Sequence, residues 1–118
     1  MKRIVRHMKE LESGRIVVDH VEIADSLWRQ TVGLLGRDSL ETDAGLWLEP
    51  CNGVHTIGMR FAIDLMFLNR DGVALKLFPN VPPSRMVGIY LRARVVVELP
   101  AGTLSRQKIE SGNRYFLE

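Results

Sequence analysis

The chain has a single cysteine, Cys51, among 118 residues. One thiol rules out an internal disulfide framework and fits a reducing compartment. Aromatic residues are also scarce, at 7%, and are not interleaved with basic ones. Nor is there a large excess of one charge: 16 Lys and Arg stand against 14 Asp and Glu, a formal +2. A groove that tracks phosphates needs a dense basic cluster, so nucleic acid is not an expected partner. No run approaches the roughly 18 apolar residues that a membrane helix needs, so no membrane partner is expected either. The opening MKRIVRHMKELESGR is basic but lacks the apolar core and cleavage site of a signal peptide. The expected location is the cytoplasm. Internal repeats and low-complexity tracts are absent, which leaves an ordinary globular chain.

Apolar residues make up 46% and charged residues 25%, enough for one core. Residues 1–14 read as an N-terminal arm or weak strand closed off by Ser13-Gly14, and residues 15–118 as a single β-rich domain. Ile16 to Ala24 is β-branched and alternates in its second half, as a strand with one wet face does. After Asp25-Ser26, the residues Leu27, Trp28, Thr31, Val32, Leu34 and Leu35 recur at spacings of three and four. That spacing predicts a short helix closed by Gly36. From there GLWLEP, VHTIGM, IDLMFL, VALKLF, RVVVEL and RYFLE alternate with turn residues, the punctuation of a β protein. IDLMFL-NRDG-VALKLF predicts a hairpin with Leu65, Phe67, Val73, Leu75 and Leu77 on one buried face. The expected fold is mainly β: a compact six- to seven-stranded β-sandwich or barrel-like domain with one or two short helices.

Five segments carry a resemblance: GLLGR (Gly33–Arg37), Ser39–Leu48 with AGLWL, His55–Gly72 with HTIGMRFAIDLMFLNRDG, VVVELPAGT (Val95–Thr103) and the turn Ser111–Asn113. In this order they resemble the bacterial and archaeal family called domain of unknown function 192, over roughly residues 15–118. The resemblance implies a compact β-sandwich or barrel-like domain with one or two short helices. It implies no established activity and no agreed catalytic residues. Where the usual version has an aromatic-Met-Lys-Asn-Thr segment before Pro-Leu-Asp, this chain has His55-Thr56-Ile57-Gly58-Met59-Arg60 before Ala62-Ile63-Asp64. The usual closing Gly-Asp is here Gly112-Asn113.

The chemistry-bearing residues gather between Cys51 and Leu68. Cys51, His55 and Met59 supply a thiolate, an imidazole and a thioether, a set that suits copper, with His20 the available second histidine. Structural zinc wants four ligands, and only Cys51 and His55 lie close together. No metal and no other cofactor is expected. Nucleophilic catalysis by Cys51 requires His55 within hydrogen-bond reach, which a turn at Asn52-Gly53 permits. A buried, inert thiol is the simpler reading.

Asp64 stands inside AIDLMFL. If Leu65 and Phe67 face the core, Asp64 shares the other face with Met66 and Leu68, which something must cover. A carboxylate there needs partners. The candidates are Arg60, Arg37 and the backbone N–H groups of the Arg60-Phe61-Ala62 turn. The same reasoning puts Glu98 with Val96, opposite Val95, Val97 and Leu99. Two such acids converging on a cleft would suit glycoside hydrolysis, whereas ion pairing of Glu98 with Arg92 or Arg94 is the simpler account. Trp28 and Trp47 read as core, His7 and His20 as surface, and 85–94 as a solvated loop with a phosphate contact as the lesser alternative.

These residues predict a small binding module whose polar cleft takes a small polar ligand. Its candidate residues are Cys51, His55, Thr56, Met59, Arg60, Asp64 and Glu98. An enzyme using Asp64 or Cys51 with His55, hydrolase-like, is the alternative from a different class. A domain that meets a protein partner is a third.

Overall fold

A computed structural model describes residues 5–24, 34 and 37–118. Nine strands form, in two sheets. They are β1 (Val5–Glu10), β2 (Ile16–Ala24), β3 (Ala44–Leu48), β4 (Gly53–His55), β5 (Ile63–Leu68), β6 (Ala74–Val81), β7 (Met86–Gly88), β8 (Val95–Pro100) and β9 (Tyr115–Leu117). A single-turn helix, α1 (Thr103–Arg106), follows β8. The larger sheet has the order β6-β5-β8-β3-β2-β1-β9, and β4 pairs with β7 in a small second sheet. The mainly β class is as expected. Among the described residues the count exceeds the expected six or seven: a strand, β1, forms within residues 1–14, and the three-residue β7 lies in 85–94, read from the sequence as a solvated loop. The predicted helix of residues 27–36 lies outside the described residues, apart from buried Leu34.

Most neighbouring strands run antiparallel, but β2 and β3 are parallel. The sheet also rolls until its outer strands meet. Val73, just before β6, bridges Arg114, just before β9. Around that bridge Ala74 N–H donates to Asn113 O (2.9 Å), Gly112 N–H to Ala74 O (2.8 Å) and Tyr115 N–H to Gly72 O (2.9 Å). The seam is tight at Gly72: a Cβ there would stand 2.5 Å from Tyr115 O, and the residue has φ +83°. Only glycine tolerates both constraints.

Rolling gives the central strands two covered faces. Along β5 every residue of IDLMFL is buried, and along β8 all but Pro100. Strands covered on both sides read as continuous apolar runs, which these are except for one acid each. Met66 and Leu68 join Val95, Val97, Leu99, Trp47, Met8 and Tyr115 in one core. Leu65 and Phe67 join Val96, Leu46, Leu48 and Met59 in the other. The expected split of IDLMFL between two faces therefore holds. The expected shared face of the hairpin does not hold throughout. Register shifts along β5–β6 pair Leu77 with Met66, away from Leu65 and Phe67.

Candidate functional site

VHTIGM is strand only as far as His55; Thr56 turns the chain into a bend with Gly58 at φ +85°. Thr56 is wholly buried. Its hydroxyl donates to Pro82 O (2.7 Å) and accepts from Arg85 N–H (2.9 Å), while its own N–H donates to Arg85 O (2.8 Å). Thr56 thus staples the 56–59 bend to the 82–85 loop, and its polar atoms are occupied. His55 is exposed at the end of β4, paired with Met86. Met59 is buried in the second core. Arg60 is exposed and pairs with Asp38 at 2.8 Å.

Asp64 is 0% exposed, on the face of Met66 and Leu68. Its Oδ1 accepts from Asn80 N–H (2.8 Å), and its Oδ2 from Gly102 N–H (3.1 Å) and Leu104 N–H (2.9 Å). The partners are backbone amides of two distant segments. They are neither Arg60 nor Arg37, nor the amides of residues 60–62. Three N–H groups pointed at one carboxylate replace the water that burial removed. This is an acid that holds α1 and the bend of β6 against β5.

Glu98 is 5% exposed and lies on the other face. The register proves it: Asp64 stands opposite Leu99, and Glu98 opposite Leu65. Asp64 and Glu98 therefore cannot converge on one cleft, which removes the paired-carboxylate arrangement. Burial pushes the Glu98 carboxyl up to about 7, partly countered by the Arg37 guanidinium. Neither Arg92 nor Arg94 is its counter-ion; Arg94 pairs with Glu49 at 3.6 Å. Arg37 also pairs with Glu22 at 3.7 Å. Glu22 and Glu98 both stand opposite Leu46, one on each side, so an acid–Leu–acid row crosses the sheet. Glu22 was not among the candidates, because its strand reads as ordinary wet-face alternation.

Cys51 is half-buried against the second core, and its thiol donates to Gly53 O at 3.2 Å. Burial pushes the thiol up, and nearby Glu98 adds to this, with Gly53 and Asn52 opposing. A nucleophilic thiol needs the opposite shift. Among the described residues no hydrogen bond joins Cys51 to His55, and no group of three or more His, Cys, Asp or Glu is arranged to hold a metal ion. His7 and His20 are exposed, and Trp47 is buried with its indole N–H on Glu49 Oε1 (2.9 Å). Trp28 lies outside the described residues.

Beside Cys51 the surface becomes concave. A pocket of about 380 Å³ is lined by Cys51, Asn52, Arg70, Leu91, Arg92 and Arg94, with Pro50 and Ala93. Its walls are fixed by backbone: Cys51 N–H donates to Arg94 O (2.8 Å), Tyr90 N–H to Asn52 O (3.0 Å) and Arg94 N–H to Leu68 O (2.8 Å). Below them Tyr90 stacks on Phe78 (6.0 Å) and meets Phe67 edge-on (5.0 Å). Arg70 enters from the β5–β6 turn. Glu49 partly offsets Arg94, while Arg70 and Arg92 form no ion pair among the described residues. Of the seven candidates from the sequence, only Cys51 lines this pocket. A phosphate contact by 85–94 was only the lesser alternative, because nothing there distinguishes an arginine facing a pocket from one facing open solvent, and Arg70 stands in a turn that reads the same way.

Comparison with known proteins fits this picture of the fold. The family model DUF192, described as "Uncharacterized ACR", matches residues 8–116. A solved structure from Sinorhizobium meliloti 1021, described as a "putative transcription regulator", superposes with a TM-score of 0.85 at 21% identity, over 99% of this chain and 96% of that one. A protein of unknown function from Novosphingobium aromaticivorans DSM 12444 gives 0.81 at 18% identity, over 97% and 84%. At such identities the likeness shows the fold alone. Among curated proteins none matches.

Proposed function

The chain belongs to the DUF192 family, and from that premise we propose that it is a cytoplasmic binding module for a small anionic ligand. The observation that carries this reading is the arginine-lined pocket beside Cys51. Its volume of about 380 Å³ falls in the usual range for small-molecule sites. Guanidinium forks match carboxylate and phosphate oxygens two at a time, and among the described residues no carboxylate pairs with Arg70 or Arg92. The backbone frame and Tyr90 hold the walls in place before a ligand arrives, which lowers the entropic cost of binding. The half-buried, unactivated thiol of Cys51 serves as a wall. The other candidates, Thr56, Met59 and Asp64 among them, support the fold around the site.

Thermal-shift titration with inorganic phosphate, phosphomonoesters, di- and tricarboxylates, neutral sugars and copper or zinc salts tests this. An anion at about 100 times its dissociation constant should add about 2.7 kcal/mol, several degrees in melting temperature. The shift should vanish in Arg92→Ala and survive in Arg60→Ala, which lies outside the pocket. A response to neutral sugars or metal alone, or an anion response unchanged by Arg92→Ala, would refute it.

A further inference from the structure

The pocket opens beside an apolar surface that the fold leaves uncovered. Leu91, on the pocket wall, is 90% exposed, Met86 81% and Ile89 71%. They follow one line along the small sheet. Met86 pairs with His55, Gly88 with Gly53, Ile89 rests on Gly53, and Tyr90 N–H reaches Asn52 O. Ile57, 53% exposed, extends the line past Thr56, which is bonded to Arg85. Three large apolar side chains left so exposed within residues 86–91 point to a contact site.

Charge indicates which kind. The two segments that build this end, 50–62 and 82–94, contain Arg60, Arg85, Arg92 and Arg94 and no Asp or Glu. The remainder of the chain then holds 12 Lys and Arg against 14 Asp and Glu, so the basic excess of the whole molecule is concentrated here. Asp38 and Glu49 reach in from outside to pair with Arg60 and Arg94, leaving Arg85, Arg92 and the adjoining Arg70. Exposed Leu, Ile and Met flanked by arginines is the composition of a surface that seats in the headgroup region of an anionic bilayer.

We propose that this end of the barrel docks on anionic membrane surface, with Leu91, Ile89 and Met86 entering the acyl boundary and the Arg70–Arg92 pocket taking a lipid phosphate. The proposal rests on the anion-binding reading of the pocket and names where its anion comes from. It requires no membrane-spanning segment, and no helix among the described residues is long and apolar enough to cross a bilayer. The apolar side chains anchor, the arginines select charge, and the pocket orients one headgroup.

Co-sedimentation of the full chain with vesicles of phosphatidylcholine alone, or with phosphatidylglycerol at about a third of the lipid, tests it. Near 0.1 M salt the anionic vesicles should bind at least about tenfold more protein, and raising salt should weaken them. The double variant Ile89→Ser, Met86→Ser changes only exposed side chains that lie outside the pocket lining. It should lose on the order of tenfold in partitioning while keeping its thermal shift with soluble phosphate. Arg92→Ala should lose both. Equal binding to both vesicles, or unchanged partitioning of the Ile89, Met86 variant, would overturn the docking proposal and leave the anion reading intact. So would concentration-dependent dimerisation abolished by that variant, which would give the surface to a second copy of the chain. Loss of the soluble phosphate response in wild type would instead sink the pocket itself.

Discussion

Asp64 and Glu98 occupy neighbouring strands and meet burial in opposite ways. Asp64 is surrounded by three amide donors, so both of its carboxyl oxygens are engaged as acceptors. Asp64→Asn would turn an amide N–H₂ or a lone oxygen toward donors that need two acceptors. We expect a loss of about 3 kcal/mol, on the order of 10 °C in melting temperature, with anion binding by the folded fraction unchanged. Thermal denaturation of the variant checks this. Glu98 has no such cradle: burial raises its carboxyl from 4.5 to about 7, with Arg37 only partly opposing. A folded-state value above the unfolded one means that the folded protein holds the proton more tightly. The associated stability is fully present below about pH 4.5 and is lost as the pH rises through 7. Urea denaturation should therefore show the wild type weakening by about 3 kcal/mol from pH 5 to 8 relative to Glu98→Gln, in which this slope disappears. From the sequence, both acids stood out as interruptions of apolar runs, and their faces followed from period two. The partners did not follow, because the amides on Asp64 lie 16 to 40 residues away in the chain.

At the scale of elements, the strands that read clearly were those with enough residues to alternate or to stay apolar throughout: β2, β3, β5, β6 and β8. Of the three-residue strands, β4 and β9 overlap the runs VHTIGM and RYFLE, whereas β7 carries no periodicity of its own, since two residues per repeat leaves barely one cycle. They exist because neighbouring backbone offers them hydrogen bonds. The misjudged face of Leu77 has a similar origin: a bulge reverses alternation from that point on, and its position depends on the partner strand. The β5–β6 turn was legible in Asn69-Arg70-Asp71-Gly72, but its closeness to Tyr115 was not. Gly72→Ala brings a methyl onto the Tyr115 carbonyl and forces a positive φ on a residue with a side chain. We expect about 3 kcal/mol of destabilisation or more, and hydrogen exchange should show the loss first in β6 and β9.

For the whole molecule, composition and the five family segments were enough to place the chain among compact β domains. Strand order was beyond reach, since the pairing of β1 with β9 joins residues more than a hundred positions apart. The candidate site shows the same limit. Cys51 drew attention by being unique, whereas Arg70 and Arg92 come together only because β5 pairs with β8. The rolling of the sheet bears on how the protein comes into being. Emerging from a ribosome, the chain makes β1 early and must hold its outer edge open until residues 115–117 have been translated. No amount of local propensity can close the seam sooner, so closure waits on β9, and until it arrives the edges of β1 and β6 stay bare to capture by another copy.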